Sequence, residues 1–297
     1  MNRMMAAKAG LPGSPWHGSL PDRKRHMKGS KRDSIPEVSK NMQREEFDLL
    51  ILGGGTGSTV AAWTFAAEGR RVAVVERKYI GGSCPNIACL PSKNVIHSAK
   101  VASYVRRSKE FGIASDALAV DMRAVRERKR KMVSALNEIY LENYRNTGAE
   151  FILGTGRFVA PKTVEVVLGD GSTRQLHGSN VIVSTGTRAA LEAIPGLAEA
   201  APLTHVEALE LDRLPEQLLV VGAGYVGMEL SQAMRRFGSE VTLIDRNPHL
   251  LLKEDQDVSE ALGSLFQDEG VDILLSTHVR ELSGKSGDAV SLVVDQN

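Results

Sequence analysis

Residues 47–58 read FDLLILGGGTGS, a short apolar run that opens straight into a cluster of glycines. Phe47 to Leu52 has the length and composition of a buried strand. An apolar helical stretch follows through Ala67 and ends at Gly69. A second strand, Arg71 to Val75, leads to Glu76, 23 residues after Gly53. Strand, glycine turn, helix, strand and acid in that order is the pattern of a dinucleotide-binding unit. Gly53 permits the tight turn. Gly55, with Gly57 behind it, lets the backbone approach a pyrophosphate at the helix N-terminus. Ser58 stands where a third glycine is usual and is small enough for close helix–strand packing. Glu76 would accept hydrogen bonds from an adenosine ribose.

The same unit occurs again at 218–245, LLVVGAGYVGMELSQAMRRFGSEVTLID. Strand Leu218–Val221 runs into Gly222, Gly224 and Gly227, a helix continues to Phe237, and strand Glu240–Ile244 ends at Asp245. Asp245 lies 23 residues after Gly222, the offset of Glu76 from Gly53. One such fingerprint is weak evidence; two matched ones imply two dinucleotides. A carboxylate at Asp245 favours NAD, because it hydrogen-bonds the ribose 2′-OH and repels a 2′-phosphate. Arg246 beside it pulls the other way and keeps NADP possible.

Between the units lies GGSCPNIACLPSK, residues 81–93, with Cys84 and Cys89, the only two cysteines of 297 residues. Pro91 suits the first turn of a helix, where its missing N–H is not needed. Cys89 would then sit where the helix dipole and free N–H groups favour a thiolate. A bridge closing so small a loop constrains the unfolded chain by only ~2 kcal/mol, so a disulfide here reads as a redox centre rather than a staple. Two buried, unbridged cysteines are the competing reading.

The wording GGSC-x4-C-x-PSK resembles the active-site segment of the class I pyridine nucleotide–disulfide oxidoreductases, on the dihydrolipoamide dehydrogenase and mercuric reductase branch. Ser83, Pro85 and Ala88 depart from the commonest family wording. The resemblance covers residues 46–297. It implies an α/β fold of two Rossmann-like, three-layer dinucleotide-binding domains, the second inserted in the first and incomplete. It implies FAD in the first unit, held also by Gly82, Ser83, Thr185 and Gly186, and NAD(H) or NADP(H) in the second. Tyr225 aligns with a residue that covers the nicotinamide pocket. Cys89 would face the flavin ring and Cys84 would be the outer, interchange thiol, acting on a small-molecule disulfide or a soft metal ion. Lys93 and Glu229 align with an ion pair beside the flavin N5, against the plainer readings of a surface lysine and a helix-face acid.

The expected domains are a disordered basic extension (1–44), an FAD-binding domain with the redox pair (45–190) and an incomplete NAD(P)-binding domain (191–297). A full member of the family continues into a dimerisation domain with a His–Glu dyad. None of the seven histidines here stands in such a place. The polypeptide alone is therefore expected to lack substantial disulfide-reductase turnover, and the homodimer of the family is doubtful for it. A dihydrolipoamide-type reductase, a mercuric-type metal-ion reductase and an inert nucleotide-binding remnant are the three functional readings.

Composition agrees with a soluble globular protein: 42% hydrophobic and 25% charged. No apolar run approaches the ~20 residues that span a bilayer, and two cysteines are too few for a secreted disulfide scaffold. The expectation is a cytoplasmic protein with no membrane or nucleic-acid partner. Residues 1–44 carry ten Lys/Arg against three Asp/Glu, a balance of +7 inside a net charge of +1. A transit peptide, a nucleic-acid arm and a functionless disordered head before Met42 are the alternatives there. Helices are expected over about 94–107 and 120–146, the second with a stripe of Val125, Met132, Leu136, Ile139 and Tyr140. The run RERKRK (126–131) is expected to be a solvated face. Short strands at 151–153, 156–159, 163–168 and 181–184 follow, with a hairpin at Asp170-Gly171, then a helix to about 268 and three closing strands.

Overall fold

The computed structural model describes residues 4–8, 43–114 and 118–296. A first strand, β1 (Met4–Lys8), precedes two α/β units. The first unit runs β2 (Arg44–Leu52), α1 (Thr56–Ala67), β3 (Val72–Glu76), α2 (Ser83–Asn86), α3 (Cys89–Arg106), α4 (Met122–Thr147), β4 (Glu150–Ala160), β5 (Thr163–Leu168) and β6 (Thr173–Val183). The second runs α5 (His205–Ala208), β7 (Gln217–Val221), α6 (Tyr225–Phe237), β8 (Glu240–Ile244), α7 (Gln256–Asp268), β9 (Asp272–Leu274), β10 (Thr277–Gly284) and β11 (Ala289–Gln296).

In the first unit β2 pairs in parallel with β3 on one side and β6 on the other, and β3 pairs in parallel with β4. β5 runs antiparallel to both β4 and β6 and closes the sheet on itself. Period-2 alternation sorts the side chains. Leu49, Ile51, Val72 and Val74 pack outward with Ala62, Ala66 and Tyr144 of the helices. Leu50, Ala73 and Val75 point inward to Ile152, Val164, Val166 and Leu176, a cluster that Phe47 of β2 joins out of alternation. Both faces are buried, which is why the parent sequence is continuously apolar rather than alternating.

In the second unit β7, β8 and β9 form a parallel sheet. One face meets α6, with Leu230, Ala233, Met234 and Phe237 in a cluster that also takes Val95, Ala99 and Ala102 from α3. Leu282 and Leu292 of β10 and β11, with Ala200 and partly buried Ile194 and Leu197, cluster around Ile244. The α/β class is therefore as expected, and the second unit follows the first along the described residues.

Five details differ from the sequence reading. β4 is one strand of 11 residues instead of two, and β6 starts at Thr173 instead of 181. Ile139 is exposed rather than part of the apolar stripe. Within the basic head, Met4–Lys8 pairs antiparallel with β11, whose outer edge would otherwise offer open backbone groups; the rest of the expectation for residues 1–42 lies outside the described residues. Finally, the run at 126–131 is not all solvated. Lys129 is 2% exposed, donating to Leu209 O at 2.9 Å and paired with Glu210. Arg130 reaches the same carboxylate, and Arg126 pairs with Asp212 at 3.3 Å. Those acids lie some 80 residues downstream, beyond anything local spacing can register.

Candidate active site

Each unit builds its turn in the same way. Gly53 N donates to Val75 O at 2.8 Å, and Gly222 N donates to Ile244 O at 2.8 Å. Both glycines take the left-handed φ that a side chain resists, +101° and +108°. The acid at the end of the second strand then closes the loop. Glu76 accepts from Gly54 N at 2.8 Å, and Asp245 accepts from Ala223 N at 2.6 Å. Their second oxygens hold the next loop, Lys78 N at 2.8 Å and Tyr79 N at 3.1 Å for Glu76, Asn247 N and Nδ2 at 2.8 Å for Asp245. Carboxylate oxygens carry spare lone pairs, so both acids retain capacity for a sugar hydroxyl.

The third glycine position shows two solutions. A Cβ on Gly227 would lie 2.0 Å from Gly222 O, so only glycine fits. In the first unit Ser58 is buried with its Oγ 2.8 Å from Gly53 O and from Gly55 O. The turn carbonyls satisfy its hydroxyl, which is why serine replaces glycine without an orphaned polar group.

Gly55 and Gly224 are the N-caps of α1 and α6, and neither helix start carries a side-chain cap bond. Open space surrounds the places where Gly57, Gly222 and Gly224 would carry a Cβ. Uncapped N–H groups facing open space beside glycine are what a pyrophosphate needs, so both cradles fit a dinucleotide. The return strand seals the first cradle. Ser184 N donates to Leu52 O at 2.7 Å, and a Cβ on Gly53 would meet Ser184 O at 2.2 Å. Thr185 follows directly, and Gly186 turns the chain away at φ +70°.

The cysteine loop leans on that cradle. A Cβ on Gly82 would come within 2.7 Å of Gly55 Cα, and one on Gly81 within 2.5 Å of the Tyr140 ring. Asn86 Nδ2 ties the loop, donating to Ile80 O and Gly82 O at 2.7 Å. Cys89 is the first residue of α3, with Pro91 in its first turn as the sequence predicts. Both thiols are free, Cys84 half-buried and Cys89 exposed. They are close enough for Cys89 to influence the ionisation of Cys84. Burial pushes the Cys84 thiol up, and Cys89 adds to that push by hydrogen bond and charge, while the Thr56 hydroxyl works against it. Ser83 is exposed at the mouth of the loop.

One turn along α3, Lys93 Nζ meets both oxygens of Glu229 on α6, at 2.7 and 2.6 Å. The pair expected from the sequence therefore joins the two units across 136 residues of chain. Tyr225, the first residue of α6, is exposed and its hydroxyl donates to Glu254, a bond that raises the phenol pKa. Arg246 is exposed and pairs with Glu192 at 3.3 Å. Sequence reasoning missed Thr56, Tyr140, Tyr144 and Asn86. Only Thr56, inside the glycine turn, carried a local signal. Among the described residues no cluster of three or more His, Cys, Asp or Glu side chains could hold a metal ion, and no helix is long and apolar enough to cross a membrane.

The sequence pattern of one family, described as pyridine nucleotide-disulphide oxidoreductase, matches residues 47–297. The chain is 30% identical to a mercuric reductase of Staphylococcus aureus over 271 residues, 91% of this chain and 48% of that protein. It is 31% identical to a dihydrolipoyl dehydrogenase of Bacillus subtilis (strain 168), covering 85% of this chain and 55% of the other. A solved structure, the Cu(II) complex of the HOCl-induced flavoprotein disulfide reductase RclA from Escherichia coli, superposes with a TM-score of 0.73 at 27% identity. That match covers 85% of this chain and 55% of the other. The chain thus spans about half the length of the curated relatives it matches.

Proposed function

The chain belongs to the pyridine nucleotide-disulphide oxidoreductases, and on that premise we propose that it works as an NAD(P)H-dependent flavoprotein disulfide reductase of the dihydrolipoamide dehydrogenase type. The family is FAD-dependent and uses NAD(P)H. The observation that carries the reading is one arrangement. Two free, neighbouring thiols lie at the edge of the first dinucleotide cradle, and the Lys93–Glu229 pair bridges from α3, the helix that Cys89 begins, to the second unit. FAD would lie on Gly53, Gly55, Gly57 and Glu76, and the nicotinamide dinucleotide on Gly222, Gly224 and Asp245. Asp245 and the Glu192 partner of Arg246 favour NAD(H) over NADP(H).

Flavin and nicotinamide, when bound, supply the passage of two electrons to or from the sulfurs. The residues of this chain do the rest. The Cys84 thiolate attacks one sulfur of a substrate disulfide and expels the other as a thiolate, which takes up a proton. Cys89 then attacks the Cys84 sulfur, forming the Cys84–Cys89 bond and releasing the second substrate thiol. Two electrons have moved from the pair to the substrate. Lys93, held at both carboxylate oxygens of Glu229, would place positive charge beside a bound flavin ring. A soft metal ion is the second substrate reading, favoured by adjacent thiolates that would clasp it and by relatives named mercuric reductase. A reducing, cytoplasmic setting suits thiols that work in the reduced form.

The test is an anaerobic NADH titration of FAD-loaded protein. A long-wavelength thiolate–flavin absorbance band is expected, absent in Cys89→Ser. Colourless protein after reconstitution, or a band that survives in Cys89→Ser, sinks the reading. Single-turnover reoxidation of the NADH-reduced protein by lipoamide or by Hg(II) then separates the two substrates without requiring steady-state turnover.

A further inference from the structure

The two units repeat one another beyond their glycines. In the first, Thr56 directly follows the N-cap Gly55, and its hydroxyl donates at 3.4 Å to Gly81 O in the loop after Glu76. In the second, Tyr225 directly follows the N-cap Gly224, and its hydroxyl donates to Glu254 in the loop after Asp245. Each time, the hydroxyl at the first helical position ties the nucleotide turn to the segment following the acid. The second loop is firmly held. Asn247 O accepts from Ser276 N at 3.0 Å, Leu251 N donates to Ala223 O at 3.1 Å, and Glu254 N donates to Leu251 O at 2.8 Å. Leu250 is buried, its carbonyl accepting from Ser259 Oγ at 2.8 Å. Leu251 takes a left-handed φ of +48°, sparsely populated for such a side chain. The loop therefore presents Glu254 at a fixed place, whereas the Tyr225 ring is exposed and turns on two side-chain torsions.

We propose that Glu254 is the positioning residue for Tyr225, and that their bond is a latch across the second cradle which an entering dinucleotide opens. Charge supplies the reason. Tyr225 opens α6, so its bond tethers a carboxylate, by one side chain, to the helix start whose free N–H groups suit a pyrophosphate. No side chain caps that start, so Glu254 reaches it only through the phenol. A pyrophosphate would take the N–H groups directly, and its charge would repel the tethered carboxylate. Lys253 and Asp255 flank Glu254, both exposed, and their opposite charges leave that repulsion standing. Dinucleotide binding thus favours the arrangement in which the bond is broken and the ring is free to move. The latch rests on the reading of the second cradle as the nicotinamide site.

The experiment uses the full, FAD-loaded chain, with NAD+ as the probe so that the flavin stays oxidised. Tyr225→Phe keeps the ring and removes the bond. Glu254→Gln keeps an acceptor and removes the charge. A closed latch lowers apparent affinity by the fraction of open protein, so each variant is expected to bind NAD+ roughly threefold more tightly by calorimetry. The double variant is expected to gain little more than either alone, because both substitutions act on one bond. Alkaline titration of tyrosinate absorbance reports the bond itself. Glu254 raises the Tyr225 phenol, so the tyrosine missing from Tyr225→Phe should ionise at lower pH in Glu254→Gln. Unchanged affinity in both single variants, fully additive gains in the double, or weaker binding in either overturns the latch. So does a Tyr225 midpoint indifferent to Glu254→Gln. Parent protein that binds no NAD+ sinks the second-cradle reading and the latch with it, whereas normal parent binding with indifferent variants sinks the latch alone.

Discussion

Tyr144 shows how far a side chain can act on a site it does not touch. It is 3% exposed, and its hydroxyl donates to Thr59 Oγ1 at 3.2 Å, which donates in turn to Gly54 O at 3.2 Å. Trp63 and Phe151 pack against its ring, with centroids at 5.6 and 5.0 Å. Burial pushes its phenol up to about 12, so the relay keeps its proton at any working pH. The folded value lies above the unfolded one of ~10. Stability should therefore hold up to about pH 10 and fall as pH rises toward 12, because the unfolded chain releases its proton first. Tyr144→Phe should flatten that decline, lower stability at pH 7 by about 1 kcal/mol and weaken FAD binding several-fold. Melting temperatures against pH and flavin-fluorescence titration measure these effects. Unchanged FAD affinity would mean that the relay does not hold the turn. None of this is legible in the sequence, since Tyr144 and Thr59 are 85 residues apart. Glu76 and Asp245 are legible, because chain length fixes how far each acid stands from its glycine. Lys129 misleads because a helix pattern says which residues share a face, not what will cover it.

At the scale of strands, glycine explains the main disagreement between sequence and structure. Gly154 reads as a break and Gly156 as the start of a new strand, yet both lie inside β4. A Cβ on Gly154 would meet Val166 Cγ1 at 2.7 Å, and one on Gly156 would meet Leu52 Cδ1 at 2.6 Å. Here glycine marks a close approach of neighbouring strands rather than an end. The closing strand pairs need a clamp at the open end, and Arg174 of β6 provides it. It donates to both oxygens of Glu45 on β2, at 2.8 and 2.6 Å, and to Glu150 on β4 at 2.7 Å. The Arg174 hydrogen bond outweighs burial and holds the Glu45 carboxyl below its ordinary value. Its stabilising effect is therefore present above the unfolded value of ~4.3 and is lost as pH falls through the lower folded value. Glu45→Gln should cost about 1 kcal/mol at pH 7 and progressively less below about pH 4. Urea unfolding at pH 7 and pH 3 measures both. A gap that stays constant with pH would assign the loss to packing, not to charge.

At the scale of the whole molecule, two nucleotide-binding units are useful only when their relative placement is fixed. The joint is built from α3 and α4 of the first unit. α3 packs on α6, with Ala99 fully buried in one apolar cluster with Ala233 and Met234. Arg106 Nη2 donates to Phe237 O at 2.8 Å at the far end, and the Lys93–Glu229 pair closes the near end. Lys129 and Arg126 of α4 fasten the segment at 209–212 alongside. Small residues on α3 set how closely the helices approach. Ala99→Leu therefore acts as a wedge, with an overpacking cost of roughly 1–3 kcal/mol. The glycines of both cradles lie outside that cluster, although Ala223 of the second turn belongs to it, so FAD affinity should change little and NADH affinity only modestly. The rate at which bound NADH reduces the flavin should fall, because a misplacement on the order of 1 Å can cost ~100-fold in an oriented reaction. Stopped-flow reduction with separately measured dissociation constants distinguishes the outcomes. A slower step at little-changed affinities supports a joint that sets geometry. If both affinities drop together with the rate, the wedge has disturbed the cradles themselves, and α3 is only part of a general core.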